Sequence, residues 1–270
     1  MQIIHPTEPW QNIHPDDIFD VVNDQGVRCG RGHVVYCYQP AIYPDRPVRI
    51  YFSMECTPEA EYMLYGALMG RARQLRQQNP NEGAYVYTNV HPQDTRLMNF
   101  CLYNGLSVGN SEELVRLHVP QDGGPDVFGC TFATIPLNTL DQQNALINRM
   151  AANGLNHINL PYLQALAKNP VFVALGVFYA ADNRNPAAEC IISGANGREP
   201  ELVAIYTTAP LRGNGLGKRL LRRALSFCGQ SGVPSVQARI MAASQPQTRL
   251  MRAFGSEPLS QTLLFPGKEL

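Results

Sequence analysis

No apolar run in the sequence is long enough to cross a bilayer, and Met1-Gln2-Ile3-Ile4-His5-Pro6 is not a basic stretch followed by an apolar one. The expectation is a soluble, cytoplasmic chain with no signal peptide and no membrane partner. A charge excess is also missing. Lys and Arg number 22, Asp and Glu number 22, and the formal net charge is +0. That balance argues against nucleic acid or an acidic membrane as the main partner. Metal-binding patterns are absent as well. The seven cysteines (Cys29, Cys37, Cys56, Cys101, Cys130, Cys190 and Cys228) form no C-x-x-C pair and no Cys/His cluster at zinc spacing. No metal is expected, and the odd, scattered thiols read as reduced side chains that mostly fill the core. Trp10, the single tryptophan, lies among prolines and reads as an anchor for the N-terminal segment.

What remains is a chain of 270 residues, 44% hydrophobic, enough for one large domain or two ordinary ones. Strand and helix patterns alternate. His33–Tyr38, Val48–Phe52, Ala84–Val90 and Glu113–Val119 read as strands. A helix opens at Thr57-Pro58 with Leu64, Leu68, Ala72 and Leu75 as its apolar stripe, and a shorter one runs from about Asp94 to Tyr103. The polar stretch Gln121-Asp122-Gly123-Gly124-Pro125-Asp126 reads as a linker. The pattern then starts again. Strands are expected at Cys130–Ile135, Val171–Tyr179, Ala188–Ser193, Leu202–Thr207, Val236–Met241 and Gln261–Phe265, with a turn at Asp182-Asn183-Arg184-Asn185-Pro186. Helices are expected from the capping box at Thr139, from Asn159, from Leu216 to Cys228, and from a second capping box at Ser244-Gln245-Pro246-Gln247.

Both halves follow the order strand, long helix, strand, short helix, strand. Pro92-Gln93-Asp94-Thr95-Arg96-Leu97-Met98 also resembles Pro246-Gln247-Thr248-Arg249-Leu250-Met251 with one insertion, each run opening a short helix. Duplication accounts for both observations. The reading is an α/β (α+β) fold with two domains, residues 1–122 and 127–270, each a mixed central sheet flanked by helices.

The chemistry lies in Arg212-Gly213-Asn214-Gly215-Leu216-Gly217-Lys218, where a strand runs through a glycine-rich turn straight into an amphipathic helix. The first amides of a helix have no internal partner, and the helix dipole adds partial positive charge there. Glycines remove the side chains that would hold an anion away, so the turn forms a phosphate cradle. It is not a P-loop: three residues separate Gly213 from Gly217, and Arg219 follows Lys218 where Ser or Thr is required. It is not the dinucleotide fingerprint G-x-G-x-x-G either, whose third glycine would fall on Lys218.

Arg212, Gly215 and Gly217 satisfy R-x-x-G-x-G. With the preceding strand and the following helix, this segment resembles the GNAT superfamily of acetyl-CoA-dependent N-acetyltransferases. The resemblance extends in element order from about Gly129 to Phe265 and is specific from about Glu201 to Gly229. It implies two GNAT-like domains, the first degenerate. It also implies acetyl-CoA as co-substrate, held by the backbone of Ile205, Tyr206 and Thr207 along the pantetheine arm. The amides of Arg212, Gly213, Asn214, Gly215, Leu216, Gly217 and Lys218 would receive the pyrophosphate. The next strand, Val236–Met241, would splay away from the first, and Ser244 would flank the cofactor's other side.

The implied reaction is direct attack of a primary amine, small-molecule or peptide, on the thioester in a ternary complex. Such an amine must first lose a proton. Glu201 stands at the spacing at which some relatives carry a general base; it reads equally as a solvated residue opening a strand. The expected general acid, a tyrosine four residues before Gly255, is Met251, which cannot donate a proton to a thiolate. Tyr206 and Tyr179 are possible substitutes that read as well as core aromatics. A non-catalytic acetyl-CoA-binding or regulatory module therefore stays open as the alternative, as does transfer of a longer acyl group. In the first half, the helix at Thr57-Pro58-Glu59 has no glycine turn, and Glu59 would repel a phosphate.

Overall fold

The computed structural model describes residues 1–10, 13–40, 43, 45–126, 129–179 and 185–270. Asp182, Asn183 and Arg184 of the expected turn lie outside the described residues. In chain order the first elements are β1 (Gln2–Ile4), β2 (Ile18–Val22), β3 (Arg28–Tyr38), β4 (Val48–Cys56), α1 (Glu61–Arg76), β5 (Ala84–Tyr87), α2 (Thr95–Tyr103) and β6 (Ser107–His118). They are followed by β7 (Cys130–Thr134), α3 (Leu140–Ala152), α4 (Leu160–Ala167), β8 (Val171–Tyr179), β9 (Ala188–Gly194), β10 (Glu201–Thr207), α5 (Leu216–Gln230), β11 (Ser235–Met241), α6 (Gln245–Arg252) and β12 (Glu257–Glu269).

Two compact units result: Met1–Ser111 with Thr262–Leu270, and Glu112–Gln261. A division at residues 122–127 follows from the polar composition of that stretch, whereas the contacts divide the chain at 111/112 and 261/262. Pairing explains the difference. Residues 112–118 of β6 pair antiparallel with β11, and Gly267–Glu269 pair antiparallel with Tyr85–Tyr87 of β5. The polar stretch is pinned to α5: Arg222 Nη2 donates to Asp122 at 2.8 Å and Arg223 Nη2 to Asp126 at 2.6 Å.

In the first unit, β1, β2, β3 and β4 pair antiparallel in sequence, and β4 runs parallel to β5 with α1 as the crossover. The stripe on α1 is buried as its spacing predicts, joining Val48, Ile50 and Phe52 of β4 in one cluster. Strand β2 gives no alternation to read because all five of its residues are buried. Its Asp20 is tolerated there because Arg31 grips it with two bonds of 2.7 and 2.6 Å.

In the second unit the strands run β6, β11, β10, β9, β8, β7, antiparallel except for β10 beside β11. Helices cover both faces. Leu220, Leu221, Ala224 and Leu225 of α5 pack with Met251 of α6 in one cluster, while Leu146 and Met150 of α3 pack with Leu163 and Leu166 of α4 in the other. The capping box at Thr139 forms as expected, with Thr139 and Gln142 bonded reciprocally. The one expected at Ser244 does not. Ser244 stands at the N-cap with no side-chain bond, and the Gln247 side-chain oxygen accepts instead from the Met241 amide at 2.7 Å.

Candidate active site

Strand β10 ends at Thr207, and a single 3-10 turn, Ala209–Leu211, carries the chain into the glycine segment. Gly213 and Gly215 have φ of 84° and 74°, left-handed values that disfavour any side chain. A Cβ at either position would meet nothing within 4 Å, so the backbone there faces open space. Gly217 is different: its Cβ would lie 3.1 Å from Thr207 Oγ1, which packs the helix start against the strand end. The Arg212 side chain closes the same junction by donating from Nε to the Thr207 carbonyl at 3.1 Å. The first bond at the start of α5 runs from the Arg219 amide to the Gly215 carbonyl. The amides of Leu216, Gly217 and Lys218 therefore precede the ladder and are available to an anion. Arg222 and Arg223, further along α5, are engaged by Asp122 and Asp126, while Lys218 and Arg219 are exposed.

Beside the turn the sheet forks. β10 pairs with β11 only at Glu201↔Gln237 and Leu202↔Ala238. Beyond Leu202 the two strands part, leaving Val203–Thr207 without partners on that edge among the described residues. A β-bulge falls at the same place, since Leu202 pairs with Ile192 and Ala204 with Ile191. The extra residue, Val203, turns the strand over. Leu202 and Ile205 join the α5 core, whereas Ala204 and Tyr206 join the α3–α4 core, although strict alternation would put 202, 204 and 206 on one face. His157 Nε2 lies 3.4 Å from the Val203 carbonyl that the bulge displaces.

The closed end of the fork is clamped by Glu199. Its carboxylate accepts two bonds from Arg116 of β6, one from Ser235 and one from Gln237 of β11. Two residues on, Glu201 accepts from Arg239 Nε at 2.9 Å, and the same guanidinium reaches Glu112 at 3.3 Å. Burial pushes the Tyr162 phenol of α4 up, and the charge of Glu201 adds to it.

Tyr206 leads to a second group that the sequence did not announce. Its hydroxyl donates to Glu189 of β9, a fully buried carboxylate that Arg149 of α3 grips with bonds of 3.0 and 2.7 Å. Burial, reinforced by Glu189, holds the Tyr206 phenol well above its ordinary value. Tyr206 is thus a poor source of a proton for a leaving thiolate. Met251 is buried in the α5 core and offers none. Arg149 also lines a cleft of about 550 Å³ with Thr131, Gln142, Phe178 and Tyr179. A cleft of about 710 Å³ lies at the other end of α5, around Phe227 and Gln230; neither includes the glycine turn.

The structure thus brings Ile205, Tyr206 and Thr207 to the free edge of β10, and residues 212–218 to the start of α5 directly beside Thr207. Ser244 opens α6 after β11, the other arm of the fork. Glu201 sits at the first of the two paired positions, one residue before the last, Leu202. The first unit has the same parallel strand pair and crossover helix but no glycine turn. There Glu59 lies in the turn before α1, and bonding to its own backbone amide and to Thr57 holds its carboxyl below the ordinary value, so a negative charge sits where a cofactor site would need none. Burial pushes the thiols of Cys101, Cys190 and Cys228 up, which suits packing and not nucleophilic attack. No group of three metal-ligating side chains occurs among the described residues, and none of their helices is long and apolar enough to cross a membrane.

Residues 145–255 match the model of the acetyltransferase (GNAT) family. That span holds most of α3 and all of the fork, the glycine turn and α5. No curated protein matches the chain in sequence. Among solved structures, the chain is similar to a GCN5-related N-acetyltransferase from Sphaerobacter thermophilus, at 16% identity and a TM-score of 0.54, over 96% of this chain and 83% of that one. It is also similar to a conserved protein of unknown function from Enterococcus faecalis V583, at 11% identity and a TM-score of 0.57, over 93% of this chain and 61% of that one. At these identities the likeness establishes the fold.

Proposed function

We propose that the glycine turn and strand fork, which lie in the span 145–255 that matches the model of the acetyltransferase (GNAT) family, serve an N-acetyltransferase. It would move an acetyl group from acetyl-CoA to a primary amine by direct attack in a ternary complex. The observation that carries this reading is the junction of two features. The backbone faces open space at Gly213 and Gly215, just ahead of the amides that precede the ladder of α5, and the free edge of β10 lies immediately upstream.

In this reading the amides of residues 212–218 hold the pyrophosphate, the backbone of Ile205, Tyr206 and Thr207 aligns the pantetheine arm, and Ser244 flanks it from α6. Bound acetyl-CoA supplies an electrophilic acyl carbon and a thiolate leaving group. Glu201 takes a proton from the incoming ammonium, directly or through water, so that the nitrogen can attack. An N–H on the open edge of β10 receives the negative charge that develops on the acyl oxygen. As the new C–N bond forms and the C–S bond breaks, the nitrogen gives up its second proton to solvent, and solvent protonates the thiolate, because Met251 cannot and Tyr206 is committed to Glu189. The cleft beside Arg149 suits the body of a small-molecule or peptide amine. The first unit, which has no glycine turn and carries Glu59 just before its long helix, acts as a duplicated domain without a cofactor site. The working compartment is the cytoplasm.

The missing acid supports a second reading, a module that binds acetyl-CoA without turnover. Thiol release from acetyl-CoA, measured across a panel of amines, separates the two. Amine-dependent release supports the transferase, and saturable cofactor binding with no release on any amine supports the module.

A further inference from the structure

We infer that the helix-free face of the first unit carries a receptor for a small carboxylate with a flat apolar body, centred on Arg49. The buried apolar residues of α1 and α2 all belong to one cluster, on the face of β4 shown by Val48, Ile50 and Phe52. Arg49 and Tyr51 alternate with those residues and point to the opposite face. There three rings surround the Arg49 guanidinium: its central carbon lies 4.3 Å from the ring centre of Tyr43, 4.6 Å from that of Tyr85 and 4.8 Å from that of Tyr87. Tyr85 and Tyr87 are themselves stacked, and Gly267 makes room for Tyr85, since a Cβ at that position would clash with its ring.

Such a cage fixes the direction of the guanidinium but does not neutralise it. The Arg49 Nε is buried with no hydrogen-bond partner, and no carboxylate pairs with Arg49 among the described residues. Its neighbour Arg46, over the same Tyr85 ring, is paired with Glu269. One uncompensated, oriented, partly desolvated positive charge is therefore left on this face. A guanidinium fork matches the two oxygens of a carboxylate, and a single negative charge balances it. A phosphate dianion would leave one charge in excess. The surrounding tyrosine rings would cover a flat apolar body attached to that carboxylate. None of these residues belongs to the glycine turn or the fork, so this site stands whether or not the chain transfers acetyl groups.

The test is a calorimetric titration of the full chain with benzoate and, separately, with inorganic phosphate. Saturable benzoate binding is expected, weakened at least about tenfold in Arg49→Met, the scale of one hydrogen bond to a charged group. Arg49→Lys, which keeps the charge and loses the fork, should weaken it too. If Arg49→Met does not fold, the Nε–H resonance of Arg49 in the native protein decides: a saturable shift on adding benzoate supports the site, and a static signal overturns it. Absence of benzoate binding, unchanged binding in a folded Arg49→Met variant, or tighter binding of phosphate than of benzoate would each overturn the inference.

Discussion

Glu199 receives both prongs of the Arg116 guanidinium, at 2.8 and 3.0 Å, at the point where β10 and β11 are still joined. Because Ser235 and Gln237 donate to the same carboxylate, one side chain ties the entry to β10 to both β11 and β6.

This clamp predicts a specific acid sensitivity. The bond from Arg116 is the largest cause holding the Glu199 carboxyl at about 2, against an ordinary 4.5, and burial opposes it. A carboxyl depressed in the folded state stabilises the fold above its unfolded value and loses that contribution as pH falls through the folded one. The contribution of Glu199 should therefore be complete above about 4.5 and vanish toward about 2. Denaturant midpoints should fall more steeply over this window in the native protein than in Glu199→Gln. Parallel curves would show that the clamp adds no stability.

How much of this was legible in advance depends on range. Contacts between near neighbours were readable: the stripe on α1, the capping box at Thr139 and the run from β10 through the turn into α5 all follow from local spacing. Three features were not. The bulge at Val203 is invisible because Leu202–Tyr206 is an unbroken apolar run with no alternation for an extra residue to break, and only pairing with β9 reveals it. The exchange of 262–270 into the first unit is set by pairing with β5, far away in sequence. Glu189, Arg149 and Tyr206 come from three separate elements, and no spacing rule joins them.

For Glu201 the expectation is kinetic. Glu201→Gln keeps its shape and can still meet Arg239, so the fork should survive and acetyl-CoA should bind as before. If Glu201 is the proton acceptor, kcat should fall by about a hundredfold or more, the usual scale for general base catalysis. Steady-state rates with calorimetry check both halves. An unchanged pH–rate profile would remove Glu201 from the chemistry and leave it a partner of Arg239 only.

At Gly215 strain and charge can be separated. Its φ of 74° and the open space around its Cβ position mean that Gly215→Ala meets no clash. It should cost about 1–2 kcal/mol of stability through backbone strain alone. Gly215→Glu carries the same strain and adds a carboxylate at the helix start. Calorimetry should show acetyl-CoA affinity at least about tenfold weaker in the Glu variant than in the Ala variant, from like charges meeting at a helix terminus. Equal affinities in two folded variants would mean that the turn does not hold the pyrophosphate.

The buried trio should behave as a unit. Arg149→Met leaves Glu189 fully buried with only the Tyr206 hydroxyl, and a buried carboxylate stripped of its cation costs about 3–5 kcal/mol. Tyr206→Phe removes one neutral donor while Arg149 keeps its grip, and about 1–3 kcal/mol is expected. Adding Glu189→Gln to Arg149→Met removes the stranded charge, so the double variant should be more stable than Arg149→Met alone, a coupling that a thermodynamic cycle measures directly. Since Arg149 also lines the cleft, the double variant should recover stability without recovering amine affinity if that cleft receives the acceptor. Recovery of both in the absence of the guanidinium would confine Arg149 to a structural role and move the acceptor elsewhere.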